Sequence, residues 1–131
     1  MFKQCENEIY SIHEFFEDWL NGKIPLDKNE LKRVEQVLSG SFLMISPNGN
    51  ESGKKELLAN LMKAHGNWNG EQIWIKNIRF RFRENNLCLA VYEEWQGNKE
   101  NESQKGRLSS ALFKKEGDDV IRWLHLHEVW I

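Results

Sequence analysis

The chain has 131 residues, of which 18 are Lys or Arg and 20 are Asp or Glu, so its formal net charge is −2. This near balance gives no basic surface for phosphate groups and argues against a nucleic-acid partner. No apolar run is long enough to span a bilayer, and the first ten residues lack the features of a signal peptide, so the sequence predicts a cytoplasmic protein without a membrane partner.

The first predicted element is an amphipathic helix from Asn7 to Leu20. Its apolar residues recur at steps of three and four, the spacing that places them on one helix face. That apolar stripe consists of Ile9, Ile12, Phe16, Trp19 and Leu20. His13 lies at the edge of the stripe, and Asn21-Gly22 is a typical stop signal.

Two further helices are predicted. Asp27 followed by Glu30 resembles a capping box that opens a second helix ending at about Leu38. A short apolar strand follows over residues 41–46, then a turn cluster over residues 47–53. The third helix covers residues 54–65, with leucines and a methionine on one side.

The remainder of the chain predicts antiparallel strands. Residues 73–83 form a strand whose second half alternates, with Ile78, Phe80 and Phe82 on one face and three arginines on the other. Strands at 87–96, 106–115 and 120–131 follow, with a long polar connection over residues 97–105. Helices followed by strands predict an α+β fold, in which three N-terminal helices pack on a strongly curved, mostly antiparallel sheet to form a cone with an interior pocket.

The last strand carries two of the four histidines. Strict alternation places Trp123, His125 and His127 on one face, and Leu124, Leu126, Glu128 and Trp130 on the opposite one. A two-residue spacing on a strand suits metal ligation if His13 or His65 supplies a third ligand, but an isolated H-x-H pair is a weak signal. Structural hydrogen bonding or a place in a ligand pocket remain the other interpretations, and we predict neither a metal nor a cofactor.

Two segments resemble the nuclear-transport-factor-2-like superfamily, which includes ketosteroid isomerase and the SnoaL-like cyclases. One is "FLMISPNGNESGKKELL", from Phe42 to Leu58, and the other is the ending "WLHLH", from Trp123 to His127. The resemblance spans nearly the whole chain and implies a single cone-shaped domain over residues 1–131. Ser46 stands where ketosteroid isomerase has its catalytic aspartate, and a neutral hydroxyl without a partner is a poor base near pH 7.

The resemblance also implies which residues face the interior of the cone. The catalytic candidates are His125, His127 and His13. The ligand-binding candidates are Phe16, Phe42, Met44, Ser46 and Trp123. These residues predict a pocket protein that binds a modest, largely apolar organic ligand, with or without proton-transfer, cyclase or dehydratase chemistry.

Self-association is the second hypothesis for function. Because both faces of the last strands are partly apolar, the outer sheet face is predicted to pack against a second copy through Leu124, Leu126 and Trp130. The pocket protein of the first hypothesis is predicted to be such a homodimer. In the second hypothesis the cone is filled by Trp and Phe side chains, the sheet face mediates assembly, and the protein is a non-catalytic association module. Cys5 and Cys88 belong to no C-x-x-C motif and are predicted to be free thiols.

Overall fold

The computed structural model describes residues 1–100 and 104–131. Its helices lie in the first half of the chain. The α-helices of the described chain are α1 (Phe2–Leu20), α2 (Lys32–Val37) and α3 (Lys54–Ala64). The predicted second helix is shorter than expected: a 3-10 turn (Lys28–Leu31) precedes α2, and the backbone turns extended at Leu38 to enter the first strand. Asp27 caps this turn, since its side chain accepts a hydrogen bond from the Asn29 N–H at 2.9 Å.

Six strands form one sheet in the described part of the chain. They are β1 (Leu38–Ile45), β2 (Glu51–Gly53), β3 (Gln72–Glu84), β4 (Leu87–Gly97), β5 (Gln104–Glu116) and β6 (Val120–Trp130). Their order is β2-β1-β6-β5-β4-β3, and only β1 and β6 run parallel. The predicted α+β fold with a curved, mostly antiparallel sheet is therefore confirmed. The short strand β2 was not predicted, and the predicted connection over residues 97–105 lies partly outside the described residues.

The core lies between α1 and the concave face of the sheet. Ile9 and Trp19 of α1 are fully buried, as are Tyr92 of β4 and Phe113 of β5. The Trp19 indole N–H donates to the Leu61 carbonyl at 2.7 Å, which joins α1 to α3. Full burial of an apolar side chain such as Ile9 or Phe113 stabilises the fold by roughly 1.5–3 kcal/mol. Within the described residues, no helix is long and apolar enough to cross a membrane.

A bulge in β3 corrects the predicted alternation of that strand. Phe80 pairs with Ala90 and Phe82 pairs with Leu89, so Arg81 is an extra residue between them. After Arg81, residues that strict alternation would place on the buried face of β3 lie on its exposed face instead. Phe82 is 46% exposed, and the Arg83 guanidinium lies over the Phe2 ring of α1 at 5.8 Å. The prediction that Phe82 continues the buried face was wrong because alternation holds only while the ladder is regular.

Another bulge, in β6, has larger consequences for the candidate site. Phe113 of β5 pairs with Trp123, and the preceding Leu112 pairs with His125, so Leu124 has no opposite residue. Trp123 remains on the buried, concave side. After the extra residue, Leu126 and Glu128 take the concave side, and His125 takes the outer side.

Candidate functional site

A cavity of about 170 Å³ lies between the helices and the concave face of the sheet. Most of its wall is apolar. The apolar lining consists of Ile12, Phe16, Leu20, Leu38, Phe42, Met44, Leu57, Leu61, Ile73, Trp123 and Leu126. The polar lining consists of His13, Glu94, Gln96, Arg107 and Glu128. Apolar walls with a few converging polar groups are typical of small-molecule sites.

Most of the predicted ligand-binding residues reach this cavity. Phe16, Phe42, Met44 and Trp123 all line it. Ser46 does not, because β1 ends at Ile45 and Ser46 opens the following turn, where its hydroxyl accepts a hydrogen bond from the Asn50 N–H at 3.2 Å. The predicted inward orientation of Ser46 was therefore wrong.

Among the three predicted catalytic histidines, His13 alone lines the cavity. His125 pairs with Leu43 and Leu112 on the outer face, where it is half-buried, and His127 is exposed. The predicted inward orientation of these two histidines was wrong because the bulge at Leu124 exchanges the faces of β6. Their catalytic role remains a prediction, and it now requires a surface outside the cavity.

The same bulge changes the predicted self-association surface. Leu126 lines the cavity and so is not available to a partner on the outer face. By alternation, Trp130 lies on the same concave side of β6 as Leu126 and Glu128. Its ring lies against Arg107, with the guanidinium 5.1 Å from the ring centroid. Leu126 and Trp130 were therefore wrong choices for an outer interface.

The described residues offer no cluster of three His, Cys, Asp or Glu side chains that could hold a metal ion. His65, considered above as a third ligand, lies against Trp19 with ring centroids 4.6 Å apart. Its Nε2 is 2.5 Å from the Ile24 carbonyl, to which it donates. This histidine has a structural role between α1 and α3.

A buried ion pair joins α1 to β4 at the polar end of the cavity. The His13 Nδ1–H donates to the Ile9 carbonyl at 2.7 Å, and Nε2 lies 2.8 Å from Glu94 Oε1. Since a carbonyl can only accept, a second donation from Nε2 to the carboxylate makes the ring an imidazolium. His13 is 4% exposed and Glu94 is 6% exposed, so both charges are removed from water.

The pKa values of this pair follow from its geometry. Burial opposes the charge on His13, but the adjacent Glu94 carboxylate outweighs it and raises the pKa above 6.5. Burial likewise acts to raise the pKa of Glu94, yet His13, Arg107 and a hydrogen bond from Gln96 lower it to about 2. The pair is therefore charged at neutral pH.

A second ion pair, between Arg107 and Glu128, lies beside the first. Arg107 Nη1 donates to Glu128 Oε1 at 2.8 Å, and the Ser109 hydroxyl donates to Oε2 at 2.9 Å. Glu128 is 1% exposed, and burial, reinforced by the Glu94 charge, raises its pKa above the usual range despite Arg107 and Ser109. Burial also raises the pKa of the neighbouring Tyr92 hydroxyl, which stays neutral.

The sequence did not lead to Glu94, Arg107 or Glu128 as predicted site residues. A signal for Glu94 was present, because strict alternation along β4 places it on the same face as the buried Ala90 and Tyr92. Glu128 had no comparable signal. Its inward orientation depends on the bulge at Leu124, which the pairing with β5 defines.

Solved structures share this fold along almost its entire length. A nuclear-transport-factor-2-like protein of unknown function from Pseudomonas aeruginosa is 22% identical, with a TM-score of 0.87 and 98% of each chain covered. The association domain of the C. elegans calcium/calmodulin-dependent kinase II is 14% identical, with a TM-score of 0.66, 97% of this chain and 96% of that chain covered. A type 2 hexachlorocyclohexane dehydrochlorinase is 14% identical, with a TM-score of 0.60, 99% of this chain and 89% of that chain covered.

These likenesses confirm a nuclear-transport-factor-2-like fold, and at such identities they show the fold alone. A family model narrows the assignment. The model for the sucrose-6-phosphate phosphohydrolase C-terminal family matches residues 5–131, so the chain belongs to this family. A search of curated protein sequences found no match.

Proposed function

We propose that this protein binds a small, largely apolar organic molecule in the cavity, with the buried polar groups at one end fixing its orientation. The observation that carries the proposal is the contrast within the lining: an apolar wall ends in two buried ion pairs, His13–Glu94 and Arg107–Glu128. Buried charges are costly for stability, and their concentration at a cavity wall is typical of a functional site.

The size of the cavity limits its ligand. At about 170 Å³ it is comparable to an engineered apolar cavity of about 150 Å³ that holds benzene. The family name contains a disaccharide phosphate, sucrose 6-phosphate, which has two hydroxylated rings and a dianionic group. Such a molecule suits neither this volume nor the apolar wall, so we propose a ligand with one ring or a short carbon chain.

If the protein also catalyses a reaction, Glu128 is the group best suited to proton transfer. Burial raises its pKa above the usual range of a glutamate, whereas the pKa of Glu94 is about 2 and makes that carboxylate a weak base. Both nitrogens of His13 are engaged, by Ile9 and Glu94. His13 is therefore proposed to help orient the ligand and to supply a positive charge, and Glu128 is proposed to exchange the proton.

Filling the cavity is expected to abolish binding. Leu57 and Leu58 are neighbours on α3 and both are half-buried, but only Leu57 lines the cavity. We expect Leu57→Phe to lose a small mass that co-purifies with the wild-type protein, and Leu58→Phe to retain it. Native mass spectrometry of gently purified protein measures this directly. Retention of the mass by a folded Leu57→Phe variant contradicts binding in this cavity.

Self-association is the second candidate function, and an apolar outer sheet face favours it. By strand alternation and register, this face presents half-buried apolar side chains in the single chain. They are Leu43, Ile45, Val91, Leu108 and Leu112. One relative of the same fold is named as an association domain, which is consistent with a homodimer through this face.

A charge in the middle of the outer face is expected to prevent this assembly. In Leu112→Glu, a carboxylate must be desolvated against an apolar partner, so we expect the dimer dissociation constant to be at least 100-fold higher than that of the wild type. Sedimentation velocity over a dilution series measures it. Gln36→Glu, on the exposed side of α2, introduces the same charge change and serves as control. An unchanged dimer in Leu112→Glu places the interface elsewhere.

The cytoplasm remains the proposed compartment. Cys5 and Cys88 are both fully buried, and both are free cysteines that form no disulfide. Burial, with a smaller contribution from Cys88, raises the pKa of Cys5 to about 12, so this thiol stays protonated and unreactive. Reduced, inert thiols suit a reducing environment.

A further inference from the structure

The apolar outer face of the sheet contains two histidines. His125 is half-buried and pairs with Leu43 of β1 and Leu112 of β5. His127 is exposed and pairs with Ile45 of β1. Directly opposite residues of neighbouring strands lie side by side on one face of a sheet. Both imidazoles therefore lie within the surface that is proposed above for self-association.

Neither of these two imidazoles makes a hydrogen bond within residues 1–100 and 104–131. The other two histidines differ in this respect. His13 contacts the Ile9 carbonyl and the Glu94 carboxylate. His65 donates to the Ile24 carbonyl. A partner chain on the outer face would remove water from the two outer-face imidazoles, and this loss of hydration costs far more for a charged group than for a neutral one.

The charged groups around the two outer-face imidazoles do not compensate an added proton. In the described β1–β6 and β5–β6 ladders, no charged residue pairs with either histidine. The nearest charges along these strands are the cations Lys114 of β5 and Arg122 of β6, which pair with each other. The carboxylates of this face are more distant, since Glu51 of β2 lies beyond β1 and Glu93 of β4 lies beyond β5. The helices pack on the opposite, concave face.

We propose that His125 and His127 make assembly through the outer face sensitive to pH, so that the dimer dissociates as these imidazoles gain protons. The inference rests on the self-association proposed above, because it names the regulation of that same surface. Histidine is the side-chain type that ordinarily changes charge between pH 5 and 8. Each imidazole must release its proton to enter a dry interface, so the dimer is favoured at higher pH and protonation favours the separate chains.

Sedimentation velocity over a dilution series at pH 8.0 and pH 5.5, in buffers that contain EDTA, tests the proposal. We expect the dimer dissociation constant of the wild type to be at least about 100-fold higher at pH 5.5. This factor is about ten-fold for each histidine that must lose a proton one pH unit below the usual value of 6.5, counted for His125 of both copies. In His125→Gln/His127→Gln the amides stay uncharged at both pH values, so the dissociation constant should no longer depend on pH.

Two simpler causes of dissociation are controlled. The formal net charge is −2 with neutral histidines and +2 with all four protonated, so general repulsion between chains is similar at the two pH values. Tryptophan fluorescence at pH 5.5 verifies that the separated chains remain folded. A wild-type dimer equally tight at both pH values overturns the inference and leaves self-association intact, and so does a pH dependence that persists in the double variant. A wild-type monomer at both pH values overturns the inference and self-association together.

Discussion

Replacing His13 by Ala is expected to lower the free energy of unfolding by about 3–5 kcal/mol, the range for breaking a buried ion pair by removal of one partner. The loss arises because Glu94, 6% exposed, keeps a carboxylate next to apolar side chains with its main counter-charge gone. Urea denaturation followed by tryptophan fluorescence measures the change. His127→Ala removes an exposed imidazole and should shift stability by less than about 0.5 kcal/mol.

A double variant distinguishes the charge effect from simple loss of packing. In His13→Leu/Glu94→Met both charges are replaced by apolar side chains of similar size, so stability should return to within about 1.5 kcal/mol of wild type. The proposed orienting role then predicts that the stable double variant loses the small mass that co-purifies with the wild-type protein, as measured by native mass spectrometry. A His13→Ala variant as stable as wild type would contradict the assignment of this pair as a buried ion pair.

The free energy of unfolding is expected to reach its maximum between about pH 4.5 and 6.5, the unfolded-state pKa values of Glu94 and His13. The folded pKa of His13 is raised, so its contribution is complete below pH 6.5 and is lost as pH rises through the folded value. The loss is about 1.4 kcal/mol for each unit of that rise. The folded pKa of Glu94 is lowered to about 2, so its contribution is complete above pH 4.5 and is lost as pH falls towards 2.

Glu128 adds a decline that begins above its unfolded-state pKa of about 4.5, so it favours the acid end of this pH range. Its folded pKa is raised, so the ionised form is disfavoured in the native state and stability falls as pH rises through that value. Denaturation midpoints collected from pH 3 to 9 measure the profile. The double variant His13→Leu/Glu94→Met should show a flatter profile above pH 6.5. A wild-type maximum above pH 8 would contradict a charged His13 in the native state.

The order of elements and the apolar face of α1 followed from local patterns. Ile9, Ile12 and Trp19 recur at helical spacing, and all three are buried against the sheet. Phe42 and Met44 alternate on β1, and both line the cavity. Such patterns reflect the geometry of a single helix or strand, which a short stretch of sequence contains in full.

The charged end of the cavity required the tertiary structure. His13 and Glu94 are 81 positions apart and meet only when α1 lies across β4. Arg107 and Glu128 meet because β5 and β6 pair in one register. Contacts of this kind depend on how elements pack, which no local pattern encodes.

By itself, the sequence determined the α+β class, the strand alternation up to each irregularity and the apolar character of the interior. The tertiary structure decided the face on which each residue of β6 lies. A bulge is an extra residue in one of two paired strands, so it exists only in the paired sheet. In β6 the extra residue is Leu124, because Trp123 and His125 lie opposite consecutive residues of β5. That one extra residue turns His125 and His127 outward and brings Glu128 into the cavity.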